Sequence, residues 1–158
     1  MRRFTPIELA IGVALLGSVA AVAVPTFVRE VHASRFSEPL DALARMSQGA
    51  VAYAEANGHF PESAPLTPAT PPPGRKEALP EETWDEPHWR ALDFRPVPTN
   101  APQAYAYAFD SQGVTFVARA HGDLDGDGIF STFEVRGSIP PGGQPRIEPG
   151  MYVEAELE

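Results

Sequence analysis

The sequence predicts an α+β fold, in which a long N-terminal helix with a membrane-spanning half and an amphipathic half packs on the small antiparallel β-sheet of a globular head. Three observations carry this expectation. Leu9 to Val28 contains no charged side chain, and at 1.5 Å per residue such a stretch makes a helix roughly 30 Å long, the thickness of a bilayer's hydrocarbon core. From Val28 onward apolar residues recur at three- and four-residue spacing, the period of a helix with one buried face. After Pro102 the period changes to two, the alternation of a half-buried strand.

The apolar segment is rich in small residues. Gly12, Ala14, Gly17, Ser18, Ala20 and Ala21 would let a second helix approach closely. Glu8 is a lone charge at its start, favoured there by the helix dipole but costly if left ionised and unpaired in lipid. Such a carboxylate needs a partner. Arg2 and Arg3 place the N-terminus on the cytoplasmic side by the positive-inside rule, so the expected location is a single pass of the inner membrane with the head in the periplasm. The expected division is therefore residues 1–28, leader and membrane or assembly helix, and residues 29–158, the head.

Within the head, Phe36, Leu40, Leu43, Ser47, Ala50, Val51 and Ala54 continue the helix on one face. Asn57-Gly58 closes it and Pro61 prevents its resumption. Residues 61–80 hold repeated prolines, which forbid regular helix and withhold sheet donors, so an extended surface loop is expected. Thr83 to Leu92 is a short helix carrying both tryptophans, anchors for a small core. Tyr105, Tyr107 and Phe109 alternate with alanines, Asp110-Ser111-Gln112-Gly113 forms a turn, and Val114 to Ala120 returns as the second strand of a hairpin. Further strands are expected at Ser131 to Arg136 and Met151 to Leu157, with Pro140-Pro141-Gly142-Gly143 as the loop between them.

Charge and composition limit function. The net charge of −9 argues against binding a nucleic-acid backbone, which requires a basic patch. There is no cysteine, so the head needs a staple other than a disulfide. His32, His59, His88 and His121 are scattered without metal-ligand spacing, and no serine sits in a Gly-x-Ser-x-Gly turn. No enzymatic activity is expected.

The stretch that carries chemistry is Asp123-Leu124-Asp125-Gly126-Asp127-Gly128-Ile129-Phe130-Ser131-Thr132-Phe133-Glu134. It fits the twelve-residue calcium loop, with acids at positions 1, 3 and 5, glycine at 6, an apolar residue at 8 and glutamate at 12. Carboxylates packed this closely repel one another unless a cation lies between them. The expected Ca²⁺ ligands are the side chains of Asp123, Asp125 and Asp127, the carbonyl of Ile129, Ser131 directly or through water, and Glu134 as a bidentate ligand. The competing possibility is a polar Asp/Gly turn that holds no metal.

Phe4-Thr5-Pro6-Ile7-Glu8-Leu9, followed by an apolar helix with Pro25 near its end, resembles the mature N-terminus of type IV pilins and the pseudopilins of type II secretion. The resemblance implies removal of the leader before Phe4 by a prepilin peptidase, methylation of the new amine, and pairing of Glu8 with the N-terminal amine of a neighbouring subunit. It thereby implies that Phe4, Glu8 and Pro25 serve processing and helix packing; Arg3 stands where the family carries Gly. Some secretion pseudopilins also hold calcium in a C-terminal loop. The function so implied is a structural subunit, a major or minor pilin or a pseudopilin, that assembles with other subunits after residing in the membrane. The second hypothesis is a single-pass, membrane-anchored calcium-binding module that never polymerises, with Arg3 blocking maturation.

Overall fold

The computed structural model describes the backbone of residues 6–98 and 101–154. Side chains at positions 8, 9 and 25–35 lie outside that description. Helix α1 runs Pro6–Asn57, and β1 covers Ala64–Thr67. A 3₁₀ turn at Glu81–Asp85 leads into the short helix α2, Pro87–Ala91. The strands β2 (Tyr105–Ser111), β3 (Thr115–Gly122), β4 (Ser131–Ser138), β5 (Arg146–Ile147) and β6 (Tyr152–Glu154) complete the chain. By its contacts the chain divides into two compact units, Met1–Phe36 and Ser37–Glu158.

This corrects the expected architecture. Among the described residues no helix is long and apolar enough to cross a membrane. The membrane-spanning half and the single-pass inner-membrane placement are therefore withdrawn. Nor does one long helix pack on a small sheet. The sheet has six strands, and only the helical residues from Ser37 on share a compact unit with it.

The sheet is antiparallel, in the order β1-β2-β3-β4-β5, with β6 also pairing with β4. The expected hairpin is present, with Phe109 opposite Ala118 and Ser111 opposite Phe116. The expected proline loop also contains β1, which among the described residues pairs only with β2. An edge strand can carry Pro65, because a proline there removes no ladder donor from a central strand.

Alternation gives the sheet one dry face. Tyr105, Tyr107, Phe109, Phe116, Ala118, Ala120, Phe133 and Val135 are buried, while Asp110, Arg119, Glu134 and Arg136 alternate with them on the other face. In the same unit α1 buries Ala42, Leu43, Met46, Ser47, Ala50 and Ala54, a stripe at helical spacing. Leu40 is exposed. Aromatic rings fill the space at both ends. Phe116 meets Phe60 at 4.8 Å and Phe109 at 5.2 Å, while Trp84, Trp89, Phe94 and Tyr107 form a second cluster with centroids 5.2 to 6.4 Å apart. Burial pushes the Tyr107 hydroxyl well above the usual tyrosine pKa, with the Glu38 charge adding to it, so this ring stays neutral.

Three polar contacts fix α1 in place. Glu38 accepts a hydrogen bond from the backbone of Ala104 at 2.7 Å and pairs with Lys76 at 3.1 Å. Arg45 donates to the carbonyl of Pro96. At Gly49 the helix backbone lies so close to α2 that an added Cβ would sit 1.8 Å from the carbonyl oxygen of Leu92. Gly49→Ala should therefore destabilise the head by about 1–3 kcal/mol, the usual cost of overpacking. Urea unfolding of the full chain checks this, and an unchanged midpoint would contradict the close packing.

Candidate metal centre

The loop between β3 and β4 is closed at its base by the pairing of Gly122 with Ser131. Inside it Asp123, Asp125 and Asp127 converge, one carboxylate oxygen of each lying within 4.8 Å of the others. Local hydrogen bonds set this geometry. Asp123 Oδ1 accepts from the Gly126 N–H at 2.8 Å, Asp125 Oδ1 from Asp127 N–H at 3.2 Å, and Asp127 Oδ1 from Ile129 N–H at 2.7 Å. These are the short side-chain-to-backbone turns that aspartate favours. Gly126 supplies the reversal with φ +83°, a conformation that a side chain would strain.

A second segment braces the loop from a distance. Gly74 N–H donates to the carbonyl of Asp123 at 2.7 Å, and Pro73 bridges Asp123 in parallel. Asp123 is buried, whereas Asp125 and Asp127 are exposed. One sheltered and two solvated carboxylates give a hard, anionic oxygen set, the donor chemistry that suits a divalent cation of the calcium or magnesium type.

The hydroxyl of Ser131 and the carboxylate of Glu134 are engaged with other partners. Ser131 begins a strand, is buried, and its hydroxyl donates to the carbonyl of Gly122 at 3.3 Å. Ile129 is exposed, and its N–H is engaged with Asp127. Glu134 lies on the solvent-side face of β4, where Arg119 Nε donates to it at 2.6 Å and Arg136 at 3.2 Å. The twelve-residue loop needs a helix after position 8 to turn its glutamate back onto the ion; here a strand carries Glu134 away. Of the processing and assembly residues, Arg3 and Phe4 lie outside the described residues, as do the side chains of Glu8 and Pro25.

No family model matches this chain, and no curated protein or solved structure is significantly similar to it. The comparisons thus identify no pilin or secretion family.

Two features of the site had different visibility in the sequence. The Arg119–Glu134 pair follows from register, since both residues lie three positions from the Gly122–Ser131 pair that closes the loop. The contact of Pro73 and Gly74 with Asp123 joins segments far apart in the chain, and no local pattern announces it. Arg119 also pairs with Asp110, so the outer face carries an alternating row of charges.

Burial opposes the charged form of Glu134, but the hydrogen bonds and charges of Arg119 and Arg136 prevail and hold its pKa below the ordinary 4.5. A carboxylate depressed on folding contributes stability that is fully present above its unfolded pKa and is lost as pH falls through the lower folded value. Acid titration of stability should therefore show Glu134→Gln with lower stability at neutral pH and a flatter decline below pH 4.5 than the parent chain. Parallel acid limbs would show that the pair contributes nothing.

Proposed function

We propose that this chain is a structural, pilin-like subunit that assembles with copies of itself through the N-terminal part of α1 and carries a head whose aspartate loop holds calcium. The observation that carries the assembly is exposure: Ile7, Ile11, Val13, Leu15, Leu16, Val19, Val22 and Val24 are 57 to 73% exposed along one helix. Leaving such side chains in water forgoes about 1.5–3 kcal/mol each, and a patch of this extent marks an interaction surface. The exposed residues surround the helix, and a helix apolar all round is buried on every side. A bundle of like helices supplies that environment, and residues 10–24 bring no charge to repel a copy. The N-terminal motif Phe4 to Leu9 supports the same partner, since its resemblance to the pilins implies pairing of Glu8 with the N-terminal amine of a neighbouring subunit.

The head plays no catalytic part. Its loop supplies carboxylates from Asp123, Asp125 and Asp127, and the ion offsets their mutual repulsion and ties the ends of β3 and β4 together. Ordering by metal takes the place of a disulfide in a chain without cysteine.

Sedimentation of the full chain tests assembly. The parent should form concentration-dependent oligomers, while Leu16→Glu combined with Val19→Glu should sediment as a monomer with unchanged head circular dichroism; a monomeric parent would contradict the proposal. Thermal unfolding with calcium and with chelator tests the loop. At calcium ten times the Kd, the parent should gain about 1.4 kcal/mol, and Asp125→Asn with Asp127→Asn should gain nothing. A chelator-insensitive melting temperature would remove calcium from the account.

A further inference from the structure

An aspartate followed by glycine is prone to isomerise, because glycine has no Cβ to hinder the approach of its nitrogen to the preceding carboxyl carbon. The aspartate loop contains two such steps, Asp125-Gly126 and Asp127-Gly128. They have the same chemistry and different surroundings. Gly126 N–H is held by Asp123 Oδ1 at 2.8 Å, and the residue lies against Pro73 and Gly74, with an added Cβ only 3.4 Å from Gly74 N. Among the described residues Gly128 N–H has no hydrogen-bond partner, and nothing lies within 4 Å of the position its Cβ would take. The Asp127 carboxyl is exposed and folds back over its own backbone by accepting from Ile129 N–H at 2.7 Å. Asp125 folds back in the same way, accepting from Asp127 N–H at 3.2 Å, so the two steps differ at the glycine nitrogen and its surroundings.

We infer that Asp127-Gly128 is a site of spontaneous aspartate isomerisation, and that the fold protects the neighbouring Asp125-Gly126 step. The Gly128 nitrogen bonds to Asp127 Cγ and loses its proton while one Cγ–O bond breaks, so that one water leaves and a succinimide ring forms. One water then adds back at either ring carbonyl, giving aspartate or isoaspartate with no net change in mass. In the isoaspartate product the main chain runs through Cβ and Cγ, one carbon longer, and the carboxylate sits on Cα. The loop thereby loses one of its three convergent carboxylates. The reaction needs no metal.

The test uses the full chain, aged at physiological temperature in neutral buffer without added metal, with peptide mapping that distinguishes isoaspartate at 125 from isoaspartate at 127. Position 127 should convert at least about fivefold faster, since the competing step must first break the hydrogen bond of Gly126. In the same chain unfolded in urea the two rates should converge. Equal rates in the folded chain, faster conversion at 125, conversion at neither position while both convert in urea, or a preference that persists in urea would each overturn the inference.

Discussion

The head depends on covering one face of its sheet. Tyr105, Tyr107, Phe109, Phe116 and Phe133 all project to that side and are buried, and a sheet with such a face is not stable until something packs on it. In the same compact unit the residues of α1 from Ser37 on bury a stripe that mixes Leu43 and Met46 with Ala42, Ala50 and Ala54, the apolar helical surface that suits such a cover. Glu38, bonded to Ala104 and Lys76, holds the start of this stripe at the point where β2 begins.

Once that face is fixed, the rest follows from register. With Phe133 and Ala120 inward and paired, Arg119 and Glu134 are opposite one another on the outer face, and Gly122 meets Ser131 at the base of the loop. Glu134 is then held on the outer face by Arg119 and Arg136. The loop gathers its three aspartates by local turns and is braced by Pro73 and Gly74. The apolar side chains before Val24 follow a different logic. They remain exposed, and the proposed assembly would bury them between chains.

Much of the head was legible from local pattern. Alternation at Tyr105, Tyr107 and Phe109 located the hairpin, and the start of β4 at Ser131 was visible in the same way. Three spaced aspartates pointed to a convergent anionic loop. What misled was position 134: a motif defined for a loop followed by a helix was extended into a segment whose β-branched and aromatic residues make it a strand, and there an arginine on the neighbouring strand competes for the carboxylate. The strand at Ala64–Thr67 was hidden among prolines because its partner, β2, lies some forty residues on, and edge pairing tolerates what a central strand forbids. Twenty uncharged residues suggested a membrane span from composition alone, and composition carries no information about which apolar surfaces a neighbouring chain will cover.

Amide hydrogen exchange on the full chain tests the central claim most directly, because exchange reports which segments open only with the head as a whole. Amides of Ala42 to Ala54 in α1 should exchange as slowly as those of β2, β3 and β4, and far more slowly than those of the proline-rich segment 68–80. Exchange of Ala42 to Ala54 at the rate of that segment, with the strands still protected, would show that the sheet stands without the helix and would contradict the account.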